Sequence, residues 1–328
     1  MTSDHIFYLA PIRGITDYIF RNTFEKYFAK FDIQVTPFIP TVKGNFVNPS
    51  LIRDINPCHN DIKRVVPQII GNNPQEIRVL ANKICELGYS TVNLNFGCPH
   101  TPVTKKKRGA GILPYPDMIR SILDQLPFQN CSFSVKLRLG LENENDIEKI
   151  IPLLNDFPLS EIIIHPRTGA QMYKGSVNLD AFQRCLTLSK HVVVFNGDIF
   201  SSEDFIYKQS RFPQIKRWML GRGVLCNPFL LGILRDQSPH YNITYLRMFH
   251  DEIMKQSSQI LSGPSHLLGR MKGLWTYMAF SLIDSKRVLK KIQKTSSLKN
   301  YNELINRLFE EQLRAQPSTA DFLQSIYT

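Results

Sequence analysis

The chain has 328 residues, of which 43% are hydrophobic and 21% charged, a composition that excludes a disordered or fibrous protein. Its formal net charge of +12 favours a polyanionic partner such as a nucleic acid, although a basic enzyme without such a partner would show the same excess. No segment reaches the roughly 18 apolar residues that a transmembrane helix needs, so no membrane contact is expected.

Eight short apolar runs recur along the first 223 residues, with amphipathic segments between most of them. The runs are IFYLAP (6–11), QVTPFIPT (34–41), VVPQIIG (65–71), TVNLNFG (91–97), SVKLRLG (134–140), EIIIHPR (161–167), VVVFNGD (192–198) and RWMLGRG (217–223). The helical segment between the third and fourth runs places its apolar residues on one face and ends at Gly88. Such alternation predicts a parallel sheet, and eight units predict a closed (β/α)8 barrel, an α/β TIM barrel.

The predicted secondary structure changes near residue 240, where long helical segments replace the strand-like runs. The stretch SGPS (262–265) is typical of a break between two helices. We therefore predict two domains, a catalytic barrel over 1–238 and a small all-helical domain over 239–328.

The six cysteines are scattered, at positions 58, 85, 98, 131, 185 and 226, and no two form a C-x-x-C pair. A zinc site or a redox dithiol is therefore not expected, and neither is any other metal. Because the N-terminus does not look like a signal peptide, we expect reduced thiols and a cytoplasmic protein.

Polar or glycine residues follow nearly every run, at the strand ends where (β/α)8 barrels carry their active sites. After the last two runs, FNGDI (195–199) and LGRGV (220–224) are typical of a phosphate site formed by backbone N–H groups and Arg222. The alternative is that these are turn glycines and a surface arginine.

Lys136 and Arg138 are two residues apart in one run, so both side chains point to the same side of the sheet. Inside a barrel they favour an anionic or electron-rich ligand, such as a flavin or a phosphorylated sugar; an ion pair with a carboxylate is the alternative. His165 and Arg167 repeat this spacing before a polar loop, although a lone histidine is more often structural.

Cys98 follows a strand end, between Gly97 and Pro99, and precedes the basic run KKKR (105–108). A free cysteine is most often a small buried residue, but this position also suits a nucleophile or a general acid. A second basic stripe is predicted on one helix face by Lys286, Arg287, Lys290, Lys291 and Lys294. With the basic and aromatic residues Arg270, Lys272, Trp275 and Tyr277, this stripe suits an RNA backbone.

These motifs together resemble the dihydrouridine synthases, flavoenzymes that reduce uridine in tRNA. The resemblance runs from APIRGITDYIFR (10–21) through PQIIGNNP, NLNFGCP, VKLRLG, HPRTGAQMYKG and NGDI to GRG, and less securely through GRMKGLWTY (269–277). It implies FMN as cofactor, NADPH as reductant and tRNA as partner, with the helical domain and the basic surface binding the tRNA. Apart from the resemblance, we expect a monomer.

The resemblance also implies a role for each matching residue. Cys98 would be the general acid that protonates C5 of the uracil, while a hydride moves from the flavin N5 to C6. Contacts with FMN would come from Pro11, Ile12, Arg13, Gln68, Lys136, His165, Asn196, Gly197, Asp198, Gly221 and Arg222. Contacts with the substrate would come from Asn95, Arg138 and Arg167.

Two departures from the family pattern concern the choice of target uridine. The family usually has Met and a small residue where this chain has Ile12 and Arg13, and His100-Thr101-Pro102 follows Cys-Pro. Three alternatives remain: a dihydrouridine synthase acting on ribosomal RNA, a flavin barrel acting on a small molecule, and a flavoprotein that binds RNA without catalysis.

Overall fold

The computed structural model describes residues 4–44, 47–235 and 241–315. The strands in these ranges are short and all run parallel. They are β1 (Ile6–Leu9), β2 (Ile33–Val35), β3 (Ile39–Pro40), β4 (Val65–Val66), β5 (Gln68–Ile70), β6 (Thr91–Phe96), β7 (Ser132–Arg138), β8 (Glu161–His165), β9 (Val193–Asn196) and β10 (Arg217–Leu220).

The sheet closes into a barrel. β1 pairs with β10 on one side and with β2 on the other, and the order continues through β5, β6, β7, β8 and β9 back to β10. Closure comes from two interrupted strands, of which one consists of β2 and β3 and the other of β4 and β5. These two strands lie side by side, since β2 pairs with β4 and β3 pairs with β5. Pro37 and Pro67 lie at the interruptions, where proline lacks the N–H that a continuous ladder needs. Each interrupted pair counts as one strand, so the predicted eight-stranded barrel is confirmed.

Helices lie around the outside of the barrel and at its mouth. They are α1 (Tyr18–Tyr27), α2 (Pro74–Glu86), α3 (Thr101–Thr104), α4 (Pro116–Asp124), α5 (Ile147–Leu154), α6 (Leu179–Leu188), α7 (Ser202–Arg211), α8 (Arg222–Cys226) and α9 (Leu230–Leu234). The helix predicted before the fourth run is α2, which buries Ile77, Leu80, Ala81 and Ile84. Gly88 follows it with a φ of 93°, a conformation that glycine adopts without strain, so this helix end is confirmed.

The C-terminal region is helical, as predicted: α10 (Ile243–Ile260), α11 (Pro264–Met278), α12 (Ser285–Gln293) and α13 (Leu298–Ala315). The predicted break at 262–265 separates α10 from α11. Phe249 of α10 packs edge-to-face on Phe20 of α1, with ring centroids 5.6 Å apart, so the helical region rests directly on the barrel. The predicted domain boundary at 238–239 lies outside the described residues. In the described part of the chain, no helix is long and apolar enough to cross a membrane.

One pair of cysteines departs from the expected reduced state. Cys85 of α2 and Cys131, one residue before β7, are joined by a disulfide with Cα atoms 6.3 Å apart. The prediction that every thiol is reduced is therefore wrong for this pair, because 46 residues separate the two cysteines and the βα packing brings them together. Cys58, Cys98, Cys185 and Cys226 are free.

Candidate active site

Two adjoining cavities open at the carboxyl ends of the strands. The larger, about 310 Å³, contains Cys98 and Asn95 and is called the thiol cavity. The smaller, about 70 Å³, contains Gly197 and Gly221 and is called the glycine cavity. They share five lining residues, Pro11, Ile12, Lys136, His165 and Tyr173. The two cavities therefore form one cleft that narrows toward the predicted phosphate end.

The loop that carries Cys98 is held by the side chain of Asn95. The Asn95 Oδ1 accepts hydrogen bonds from the backbone N–H of Gly97, at 3.0 Å, and of Cys98, at 2.8 Å. The Asn95 amide in turn donates to Gln68 Oε1 at 2.7 Å, and Gln68 donates to Asn93 Oδ1 at 2.7 Å. A buried chain of amides across β5 and β6 thus fixes the position of the cysteine.

Gly109 holds the same loop from behind. Its φ is 58°, and a Cβ at this position would lie 2.6 Å from the Cys98 carbonyl oxygen. The N–H of Ala110 donates to that oxygen at 2.9 Å. The segment after the basic run 105–108 therefore packs closely on Cys98, and only glycine fits the contact.

The electrostatics of the thiol cavity favour a protonated thiol. Burial raises the pKa of Cys98, and this effect exceeds the opposing influence of Arg138, Arg13 and Lys136. Burial and the nearby Arg138 lower the pKa of Lys136 to about 7. Cys98 is therefore a thiol near neutral pH, which suits a proton donor and not a thiolate nucleophile.

Arg138 and Tyr173 cover one side of the cleft. Arg138 is almost fully buried and donates to the carbonyls of Gly97, at 3.1 Å, and Thr168, at 2.7 Å. The Tyr173 ring lies 5.4 Å from the Arg138 guanidinium carbon and 4.6 Å from that of Arg222. Half of the Tyr173 side chain is exposed, so its ring stands between the two cavities with one edge open to solvent.

Two arginines share one carboxylate beside the glycine cavity. Asp198 accepts two hydrogen bonds from Arg167 and one from Arg222 at 3.0 Å. Arg167 also contacts His165 Nε2 at 3.1 Å. Burial, followed by the surrounding cations, lowers the pKa of His165 well below its usual value, so the ring is neutral. One carboxylate against two guanidinium groups leaves a net positive charge at the predicted phosphate end.

The structure brings together most of the residues predicted from the sequence. The glycine cavity is lined by Pro11, Ile12, Lys136, His165, Asn196, Gly197, Asp198, Gly221 and Arg222. The thiol cavity adds Arg13, Asn95, Cys98 and Arg138.

Gln68 and Arg167 line neither cavity. Gln68 is fully buried behind Asn95 and bonds to Asn95 and Asn93, so its predicted FMN contact stays a prediction. Arg167 lies behind His165 and Asp198, which it holds in place. Its predicted substrate contact therefore finds no support in the structure.

The predicted RNA-binding residues of α11 separate into different roles. Trp275 is fully buried and donates to Tyr301 Oη at 2.7 Å. Arg270 pairs with Asp17, and Lys272 donates to backbone carbonyls at the end of α12. Tyr277 alone of the four lines the thiol cavity. The predicted RNA contact is wrong for Trp275, which is fully buried because a helix distributes neighbouring residues over several faces; for Arg270, Lys272 and Tyr277 it stays a prediction.

The basic stripe on α12 has the predicted geometry. Val288 and Ile292 are buried, whereas Lys286, Arg287, Lys290 and Lys291, with Lys294 just after the helix, are exposed. The part of the chain that the structure describes contains no cluster of three or more residues that could hold a metal ion.

Tyr173 was not assigned in the sequence analysis, and Tyr277 was assigned only to RNA binding, although both residues line the cleft. Tyr173 lies in the HPRTGAQMYKG motif, so its place in that loop was an available signal. Tyr277 comes from α11 and reaches the cavity because the helical region packs beside the barrel mouth. Nothing in the local sequence distinguishes it from its neighbours.

Comparison with known proteins identifies the family. A family model described as dihydrouridine synthase matches residues 8–326. The chain belongs to the dihydrouridine synthase family. This confirms the resemblance seen in the sequence motifs.

Two curated relatives carry the name of the same family, and a solved structure shares the fold. A probable tRNA-dihydrouridine synthase of Staphylococcus epidermidis is 26% identical over 250 residues, which are 70% of this chain and 76% of that protein. The tRNA-dihydrouridine(16) synthase of Pseudomonas syringae pv. tomato is 29% identical over 230 residues, 68% of this chain and 72% of that protein. An old yellow enzyme homologue from Zymomonas mobilis shares the fold, with a TM-score of 0.52 at 11% identity over 73% of this chain and 90% of that one.

Proposed function

We propose that this dihydrouridine synthase reduces uridine to 5,6-dihydrouridine in tRNA, with FMN as cofactor and NADPH as reductant. The observation that carries the proposal is the pairing, in one cleft, of a protonated Cys98 with a partly buried Lys136 whose pKa is lowered to about 7. The names of the relatives from Staphylococcus epidermidis and Pseudomonas syringae support tRNA as the substrate.

The residues of the cleft fit FMN. The Lys136 ammonium has no carboxylate partner among the described residues, so an electron-rich ring that accepts a hydrogen bond would stabilise its charged form. At the other end, the net positive charge of Arg167, Arg222 and Asp198 suits a phosphate. Gly197 and Gly221 leave space for the ligand beside the backbone of the glycine cavity.

Bound FMN, once reduced by NADPH, would supply a hydride to C6 of the uracil. The Cys98 thiol would donate its proton to C5, and its raised pKa keeps that proton available near neutral pH. Asn95 holds the cysteine through the two N–H groups that its Oδ1 accepts. Arg138 and Tyr173, which both line the thiol cavity, would cover the base and exclude water from it.

The basic surface would bind the tRNA around the extruded uridine. Leaving the stack costs the base a few kcal/mol, and contacts with the phosphate backbone offset this cost. The exposed lysines of α12 are the proposed contacts, and the helical region is proposed as an RNA-binding domain. A monomeric state and a cytoplasmic location stay predictions.

Replacing the proposed acid tests the function. Cys98→Ala should keep its flavin and its reduction by NADPH, while dihydrouridine formation on unmodified tRNA falls by at least 100-fold. The matched control is Cys58→Ala, which removes an exposed thiol elsewhere. Full activity of Cys98→Ala would refute the assignment of the acid. Turnover of free pyrimidines without turnover of tRNA would favour a flavin barrel that acts on a small molecule. Activity on ribosomal RNA alone would favour a dihydrouridine synthase that acts on ribosomal RNA.

A further inference from the structure

The mouth of the thiol cavity carries a cation stacked on an aromatic ring. The guanidinium carbon of Arg13 lies 5.6 Å from the centroid of the Phe38 ring, and both residues line the cavity. Arg13 is exposed, and no acidic side chain pairs with it among the described residues. It is therefore a charge that the fold itself does not use.

Hydrogen bonds fix the backbone next to Arg13. Thr16 Oγ1 accepts the N–H of Ile12 at 2.8 Å, and the N–H groups of Ile15 and Thr16 donate to the Ile12 carbonyl. Phe38 lies in the interruption between β2 and β3, after Pro37, where the chain leaves the barrel wall. The backbone next to Arg13 is thus fixed, and the Arg13 guanidinium already lies against the Phe38 ring.

The chemistry of this pair fits a nucleotide. An aromatic ring stacks on any base, and an arginine beside it pairs with the phosphate of the same strand. The rim is continuous with the cavity that holds Cys98, so a strand that places one base against the thiol can lay the adjacent nucleotide on the rim. The net charge of +12 suits such a polyanion.

We infer that Arg13 and Phe38 form a subsite for the nucleotide next to the target uridine, in which Phe38 stacks on its base and Arg13 binds its phosphate. The inference rests on the proposed function. The subsite determines which uridine is reduced. The target uridine reaches Cys98 only where the adjacent base can leave its own stack and stack on Phe38.

The two residues have distinguishable signatures in tRNA binding. For Arg13→Gln in the FMN-loaded full chain, the slope of log affinity against log salt should decrease in magnitude by about 0.7, the value for one single-strand phosphate contact. For Phe38→Ala, affinity should fall roughly 5- to 150-fold with an unchanged slope, while Phe38→Tyr should restore it. The matched controls are Arg53→Gln and Tyr207→Ala, both exposed residues outside the cleft.

An abasic nucleotide completes the test. Removing the base on one side of the target uridine should weaken binding to the wild type, but should cost Phe38→Ala no further affinity, as expected when both changes remove the same contact. Additive losses on both sides, or a wild-type salt slope in Arg13→Gln, would overturn the subsite. Wild-type enzyme that reduces no uridine in tRNA would instead refute the proposed function. Flavin content, measured for each variant, separates a loss of contact from a loss of folding.

Discussion

The buried charge of Lys136 has a cost that can be measured. Burial lowers its pKa from the ordinary 10.5 to about 7. A difference of about 3.5 between the folded and unfolded pKa values corresponds to about 5 kcal/mol, at 1.36 kcal/mol per pKa unit. Relaxation of the site around the charge reduces this, so Lys136→Met should raise the free energy of unfolding of the FMN-free protein by about 2–4 kcal/mol at pH 6.

The sign of the pH dependence follows from linkage. Below pH 7 the lysine is charged in both states, and the folded protein bears the full cost of burying the charge. Between pH 7 and 10.5 the unfolded chain binds one more proton than the folded protein, so the stability of the wild type rises with pH. The advantage of Lys136→Met should therefore be largest below pH 7 and vanish above pH 10.5.

Urea denaturation of both proteins at pH 6, 8 and 9.5 measures this advantage. Lys149→Met, on the exposed face of α5, is the matched control and should change stability by less than about 0.5 kcal/mol at every pH. Binding of FMN should remove the advantage, because the cofactor then accepts the lysine's hydrogen bond. A Lys136→Met variant that is less stable than the wild type at pH 6, or whose advantage grows with pH, would refute the reasoning.

Three further predictions concern the thiol loop and the basic stripe. Because burial raises the pKa of Cys98 above its ordinary 9.0, the rate of dihydrouridine formation should stay level up to pH 9 and fall only above it; a midpoint below pH 8 would contradict this. Gly109→Ala should lower that rate more than 10-fold, whereas Gly263→Ala, which also has a positive φ but open space around its Cβ, should cost about 1–3 kcal/mol of stability and leave the rate unchanged. Replacing Lys290 and Lys291 by Gln should reduce the magnitude of the salt slope of tRNA binding by about 2, and an unchanged slope would place the tRNA on another surface.

The sequence predicted the parts of this protein that local pattern controls. Apolar runs with helical segments between them predicted the barrel, and polar residues at the strand ends predicted the site, because every parallel strand delivers its carboxyl end to the same rim. The apolar face and the glycine stop of α2 were readable for the same reason, since a helix repeats every 3.6 residues. The two prolines that interrupt the second and third runs were visible too, but their effect on pairing was not.

Contacts between distant segments were decided only by the tertiary structure. The sequence placed Asn95 and Gln68 in the site, but the hydrogen bond between them, which fixes Cys98, joins residues 27 apart on neighbouring strands. Tyr277 reaches the thiol cavity from a helix beyond the barrel, while Trp275, two residues earlier, is buried in the core. Local pattern specifies which side of an element a residue takes, whereas the neighbour that it meets there depends on how the whole chain packs.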